Sequence, residues 1–447
     1  MSESTAKNDA TGHTVVGQFM TDYGMVFVLL LLGVLFSVLT FAEQYPTGAD
    51  AGRTVASRVA EQVGEGASVL IITRDTAGDR DFTQAAVEQL ESQGISVVAT
   101  VQGSPGDARS AIEKALAAGK AIDAVVANHV TAKWTIYDRF EEVGSEKVHF
   151  PQAHYWPTFL KSTNLLGVAN QTAIYAIIAI GMTMVIITAG IDLSVGSLVA
   201  LSSVVSALLL RDYAGGAEAG VGAMLLCCLA ALTACALTGA FTGGMVTGFK
   251  IPPFIVTLAV MMMASGLAFR LSEGRSIPEL PRSFFWLGGQ STMGIPNPVI
   301  LMLVLYAVAH IVMSRMSFGR YVYAIGGNRE AARLSGVPVV GVLLTVYTIC
   351  GALAGLGGIV LASKLAAGDP KFGLMYELEV IAAVVVGGTS LMGGEGKIFG
   401  TLIGAFIIAV IKNGMNLTDV DPFNQKIVLG AVLLGAVLID RLKRKQG

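Results

Sequence analysis

Residues 339–362 read VVGVLLTVYTICGALAGLGGIVLA, and no charged residue lies between Arg333 and Lys364. As a helix this run reaches about 36 Å at 1.5 Å per residue, against a hydrocarbon layer of about 30 Å. It is apolar on every face, so lipid or other apolar helices must surround it. Working outward, residues 315–338 read RMSFGRYVYAIGGNREAARLSGVP, a polar link carrying Arg315, Arg320, Arg329 and Arg333. Further apolar runs lie at 25–42, 167–188, 194–210, 220–247, 253–270, 298–314, 376–392, 397–412 and 425–440. With 339–362 they make about ten expected crossings. Composition agrees: 53% of the 447 residues are hydrophobic and 14% are charged, where soluble domains carry about 25% charge. The predicted fold class is an all-α polytopic membrane protein in a lipid bilayer. A net charge of −2 gives no reason to expect a nucleic-acid partner.

The run at 25–42 follows a polar tail, 1–24, whose one Lys or Arg is Lys7. No small-x-small cleavage site follows it, so it reads as a retained helix and not as a signal peptide. Between 43 and 156 the character changes. Residues 68–73 (SVLIIT), 95–101 and 122–127 have strand length, whereas 79–93 and 107–118 have helical spacing, with Phe82, Ala86 and Leu90 on one face. Strands alternating with helices predict an inserted α/β domain of βαβαβ order, with 131–142 as a further helix.

Charge placement orients the chain. With ten crossings and the N-terminus inside, Lys250, the arginines of 315–338, Lys397 and the cluster Arg441, Lys443, Arg444, Lys445 all fall on the cytoplasmic side. That is the positive-inside pattern. Both termini, including the tail 442–447, are then cytoplasmic. The insertion 43–156 is extracytoplasmic, and 157–441 is a core of nine helices.

No G-x-x-x-x-G-K-[ST] phosphate loop occurs. The nearest imitation, Gly393-Gly394-Glu395-Gly396-Lys397, has Leu391 where the first glycine belongs and Ile398 where a hydroxyl would hold magnesium. Neither a His-Glu zinc motif nor a G-x-S-x-G elbow occurs. The chain does not read as an enzyme, and no cofactor or metal is expected in it. Cys227, Cys228, Cys235 and Cys350 lie inside apolar runs and read as packing residues. His129, His149 and His154 are loosely spaced and read as ordinary surface residues.

Within 315–338, Asn328 is placed to cap a short helix starting at Arg329. Ala331, Ala332 and Leu334 supply its apolar side, and Gly336 and Pro338 stop it. Such a helix either docks another protein or lies on lipid, drawn there by its arginines; the residues alone leave both open.

Glu330-Ala331-Ala332 followed by Gly336 resembles the E-A-A-x-x-x-G coupling motif of ABC importer permeases. Longer pieces are similar to ribose-type sugar permeases: GMTMVIITAGIDLSVGSLVAL (181–201), FIVTLAVMMMASGLAF (254–269), GRYVYAIGGN (319–328), AARLSG (331–336), YELEVIAAVVVGGTSLMGGEGKIFGTLIGA (376–405) and NGMNL (413–417). The resemblance covers about 157–444 strongly and 13–42 weakly. It implies a bacterial inner-membrane permease that pairs with a second permease copy, identical or paralogous. It also implies a cytoplasmic ABC ATPase, often with tandem cassettes, that binds the ATP and magnesium, and an extracytoplasmic protein that delivers a monosaccharide. Asn328, Arg329, Glu330, Ala331, Ala332, Arg333, Leu334 and Gly336 would carry the ATPase contact. The chain departs from the family in its insertion, whose pattern resembles the first half-lobe of a periplasmic sugar-binding protein. One half-lobe cannot form a two-lobed cleft. The expectation is a docking or regulatory role, beside the alternative of an inert insertion, since surface loops tolerate length cheaply.

Asp192 lies between apolar runs in Gly190-Ile191-Asp192-Leu193-Ser194-Val195-Gly196. An aspartate there is a functional candidate by default. Either Asp192 and Ser194 line the path across the membrane, or Asp192 caps a helix starting at Leu193; both can hold. Tyr376, Glu377 and Glu379 open a span from the outer side. They are candidates to meet the solute, or acids favoured at a helix N-terminus. Gly239, Gly243, Gly351, Gly355, Gly400 and Gly404 have the spacing of helix-packing residues. Two rivals stand beside the importer: a secondary transporter driven by an ion gradient, and a receptor that senses ligand through 43–156.

Overall fold

The computed structural model describes residues 24–445. Phe41–Pro157 form one compact unit and the chain on either side of it forms another. The tail expected over 1–24 lies outside the described residues except for Gly24, as do the last two residues of the tail expected over 442–447.

Helix α1 covers Gly24–Leu39. The expected span 25–42 is corrected at its end, because strand β1, Phe41–Gln44, begins there. In the inserted unit follow α2 Gly48–Val63, β2 Ser68–Thr73, α3 Ala77–Ser92, β3 Ser96–Gln102 and α4 Pro105–Ala117. Then come β4 Ala124–Ala127, β5 Val148–His149 and β6 His154–Pro157. The sheet runs β3-β2-β4-β5, and all its pairings are parallel. Neighbouring residues of a strand point to opposite faces, and both faces of β2 are buried. Val69 and Ile71 meet α2 and α3 through Val55, Val59, Phe82 and Leu90. Leu70 and Ile72 meet Ile112 of α4 and Tyr137. Two readings are corrected. Helix α2 was not foreseen, and 131–142 is not a helix but short 3-10 turns at 131–133 and 137–139. Thr131 is held in a turn in which its N–H donates to Asn128 Oδ1 and its hydroxyl to the Ile72 carbonyl. β1 and β6 pair antiparallel, Phe41 opposite Pro157, so the unit's two ends lie together.

The membrane unit continues with α5 Ser162–Ile187, α6 Val195–Tyr213, α7 Val221–Gly248, α8 Pro253–Leu271 and α9 Phe285–Gly289. After them come α10 Asn297–Arg315, α11 Ser317–Gly327, α12 Arg329–Leu334, α13 Val339–Leu365, α14 Tyr376–Val386, α15 Ile398–Leu417 and α16 Pro422–Lys445. Among the described residues, seven helices are long and apolar enough to cross a membrane: α5, α6, α7, α8, α10, α13 and α15. Two shorter apolar helices are α1 and, within α16, Pro422–Leu438. The expected span 376–392 is corrected. α14 has only 11 residues, about 16 Å of helix, and gives way at Gly387 to a non-helical stretch that lasts until Ile398.

The core lies around α13 and the inner part of α5, where every residue from Thr172 to Ile187 except Tyr175 is buried. The two share a design. Each is long, 26 residues in α5 and 27 in α13, and each is followed by a break, 188–194 and 366–375, before the next helix. The second break meets the start of α6: a methyl added at Gly196 would overlap the Gly373 carbonyl, and one at Gly373 would overlap the Gly196 carbonyl. Only glycine permits that reciprocal backbone approach.

Candidate functional site

Three constellations in the membrane unit carry candidate chemistry. The first is α12. Asn328 has extended backbone, and its Oδ1 accepts hydrogen bonds from the backbone N–H groups of Glu330 and Ala331 at 3.0 and 2.9 Å. Six residues do not hold a helix unaided, so this cap and the left-handed Gly336 (φ 82°) that follows define it. Ala332 is the anchor, 5% exposed, whereas Leu334 is 77% exposed. That corrects the expected apolar side: Ala332 faces inward, and Ala331 and Leu334 face outward. Glu330 and Arg333 pair across the outer face, and this hydrogen bond holds the Glu330 carboxyl below the usual carboxylate range. Arg329 is exposed beside them. The result is a rigid, charged knob with one apolar tip.

Behind the knob lies a backbone junction. Tyr323 of α11 donates its hydroxyl to the Gly396 carbonyl at 2.7 Å. The Gly394 N–H donates to the Ile187 carbonyl at the end of α5 at 2.9 Å. Gly326 lies so close to both that an added methyl would overlap the Ile187 carbonyl and come within 2.5 Å of the Gly394 nitrogen. The segment that carries the knob is therefore clamped to the break after α5 and to the loop after α14.

The second constellation is the break at 188–194. Asp192 is 1% exposed. Its Oδ1 accepts from the Ser194 N–H at 2.9 Å and from the Ser194 hydroxyl at 2.6 Å. The helix begins at Val195, not at Leu193, so Asp192 closes a turn that leads into α6. Both side chains are enclosed here. Tyr347 of α13 is also enclosed, close against Gly190, and among the described residues its hydroxyl has no hydrogen-bond partner.

The third is an ion pair. Lys412 Nζ lies 2.9 Å from Glu379 Oε1, joining α15 to α14. The ammonium also stands 5.3 Å from the centre of the Tyr175 ring, a cation–π distance. The Tyr175 and Tyr376 rings lie 4.4 Å apart. Tyr175 is about 20 Å along α5 from Ser162, midway between its ends. Beside the pair, Asn164 and Asn413 exchange amide hydrogen bonds at 3.0 and 2.8 Å. The structure thus brings the expected Tyr376 and Glu379 together with Lys412 and Tyr175, two residues the sequence reading missed. Glu377 goes elsewhere: its carboxylate packs against Gly196, where the second break meets the start of α6. Lys412 was legible only as the end of a run, but α15 continues past it to Leu417.

Residues 164–437 match the family model described as branched-chain amino acid transport system / permease component. The chain belongs to this family. The permease is 42% identical over 292 residues to the ribose import permease protein of Escherichia coli strain K12, an alignment covering 64% of this chain and 88% of that protein. It is 43% identical over 289 residues to the ribose import permease protein of Bacillus subtilis strain 168, covering 64% and 87%. It is 36% identical over 296 residues to the L-arabinose transport system permease protein of Escherichia coli strain K12, covering 66% and 87%. No solved structure matches the permease. The permease is a transport component and not an enzyme.

Proposed function

We propose that this permease is the membrane-spanning subunit of an ATP-driven importer for a monosaccharide or a similar small polar solute, working by alternating access. The observation that carries the reading is α12: an asparagine-capped, exposed knob whose segment is clamped to the end of α5 and to the loop after α14. A cytoplasmic ATPase that binds ATP and magnesium docks on Asn328 through Gly336. Its closure moves the breaks after α5 and α14 together. An extracytoplasmic binding protein supplies the solute, and a second permease copy completes the path. The names of relatives that transport ribose, allose and arabinose support the solute class.

The distribution of lysines and arginines supports both termini and α12 on the cytoplasmic side of a bacterial inner membrane and residues 43–156 outside it. Ten crossings follow if α14 and its loop count as one. The short helix does not reach across, but the loop after it returns to α11 and to the end of α5, which supports counting the two as one crossing. Asp192, Ser194, Tyr376, Glu377 and Glu379 remain candidates for the path.

Reconstitution in liposomes with the ATPase and the binding protein tests the reading. Uptake of labelled monosaccharide that needs ATP is expected, as is a crosslink from Leu334→Cys to the ATPase. The enclosed Asp192 and the Glu379 pair are what an ion-driven transporter would also use. Uptake driven by an ion gradient without ATP would favour that rival.

A further inference from the structure

Membrane-embedded charges are costly and mark function, and the coupling knob does not use the pair between α14 and α15. We propose that Glu379, Lys412, Tyr175 and Tyr376 form a solute-contact site inside the membrane unit, built for an uncharged polyhydroxylated solute. The inference rests on the importer reading and deepens it.

Charge balance and hydrogen-bonding capacity select the solute. Glu379 and Lys412 compensate each other at 2.9 Å. A carboxylate or ammonium on a solute would compete for one member and leave the other as an unpaired, partly buried charge, which is unfavourable. A hydroxyl both donates and accepts, so two neighbouring hydroxyls bridge the pair, one accepting from Nζ and one donating to an Oε, without changing net charge. The paired tyrosine rings add apolar faces for the C–H side of a sugar, and their hydroxyls add further polar contacts. Gln171 and Asn413 place amides on the same wall. The space beside the pair is about 20 Å³. That suffices for one water, which needs about 10–15 Å³ by this measure, and is far too small for a sugar. The space as it stands therefore takes a single hydroxyl-sized group. A whole solute enters when α14 and α15 part, and α14 is the short helix whose following loop is clamped to the coupling segment.

The test uses the complete reconstituted complex and the uptake of labelled D-ribose, L-arabinose and D-allose, each alone and in pairwise competition. Glu379→Gln, Lys412→Gln and Tyr175→Phe are compared with the charge-reversed double variant Glu379→Lys/Lys412→Glu. Loss of a hydrogen bond to a charged group corresponds to roughly tenfold or more in discrimination. The expected result is a shift of about that size in the uptake ratios among the three sugars, most mildly with Tyr175→Phe, and no restoration of the ratios by charge reversal. Unchanged ratios overturn the proposal, whether total uptake stays level or falls evenly, because a mere brace between helices would affect all sugars alike. Recovery of the original ratios by charge reversal overturns it too. If solute uptake by the unmodified complex does not depend on ATP, the importer reading itself fails, and this inference falls with it.

Discussion

Asn328 shows how much one side chain decides. Its amide satisfies two of the first N–H groups of α12, and a cap of this type contributes about 1 kcal/mol, a large share for six residues. Asn328→Ala should raise the hydrogen-exchange rates of Glu330 and Ala331 about fivefold and weaken docking of the ATPase. Asn328→Asp, which keeps the accepting oxygen, should restore both. His149 makes a second residue-scale test. Burial, with the Arg58 charge second, lowers its pKa below the ordinary 6.5. Between the lowered value and 6.5 the unfolded chain holds more proton than the folded one, so acid favours unfolding. The His149 contribution is complete above 6.5 and is lost as pH falls through the lowered value. Residues 41–157 expressed alone should lose thermal midpoint across that window, and His149→Gln should flatten the loss. Asn328 was legible from the sequence because it precedes a polar stretch in an apolar chain. Lys412 was not, because a lysine inside an apolar run looks the same whether it ends a helix or finds a carboxylate on another one.

At the scale of elements, apolar length was readable and helix continuity was not. Residues 376–392 have the composition of a span, yet Gly387 and Gly388, the latter left-handed at φ 82°, end the helix early. α2 escaped although a helical stripe was present: Ala51, Val55, Ala56 and Val59 share one buried face, but they are small residues set among glycine and charge, and they pack on α3 and the sheet. The junction between α11, the end of α5 and the loop after α14 was hidden entirely, since backbone proximity leaves no mark beyond ordinary glycines. It gives a sharp contrast. Gly326→Ala must push apart the Ile187 carbonyl and the Gly394 nitrogen, an overpacking change of about 1–3 kcal/mol. Gly327→Ala meets open space. The first should lower the thermal midpoint of the detergent-purified permease and separate ATP hydrolysis from uptake in liposomes, whereas the second should do neither.

For the whole molecule, the decisive fact is that two compact units share one chain. The inserted unit has its own two-sided core, and its ends are already paired, with Gln44 opposite His154. Replacing residues 45–153 by Asn-Gly would turn β1 and β6 into a simple hairpin whose two-residue turn suits their twist. The remaining permease should therefore keep its thermal midpoint in detergent. Function separates the two readings of the insertion. If the unit docks the extracytoplasmic binding protein, it holds that protein at a raised local concentration. Excision should then raise the concentration of binding protein needed for half-maximal uptake by about tenfold or more, while the maximal rate, set by α12 and the interrupted helices, stays level. Titrating binding protein against labelled sugar uptake measures both numbers in one experiment. Superimposable curves would show that the family's transport core works without what has been inserted into it.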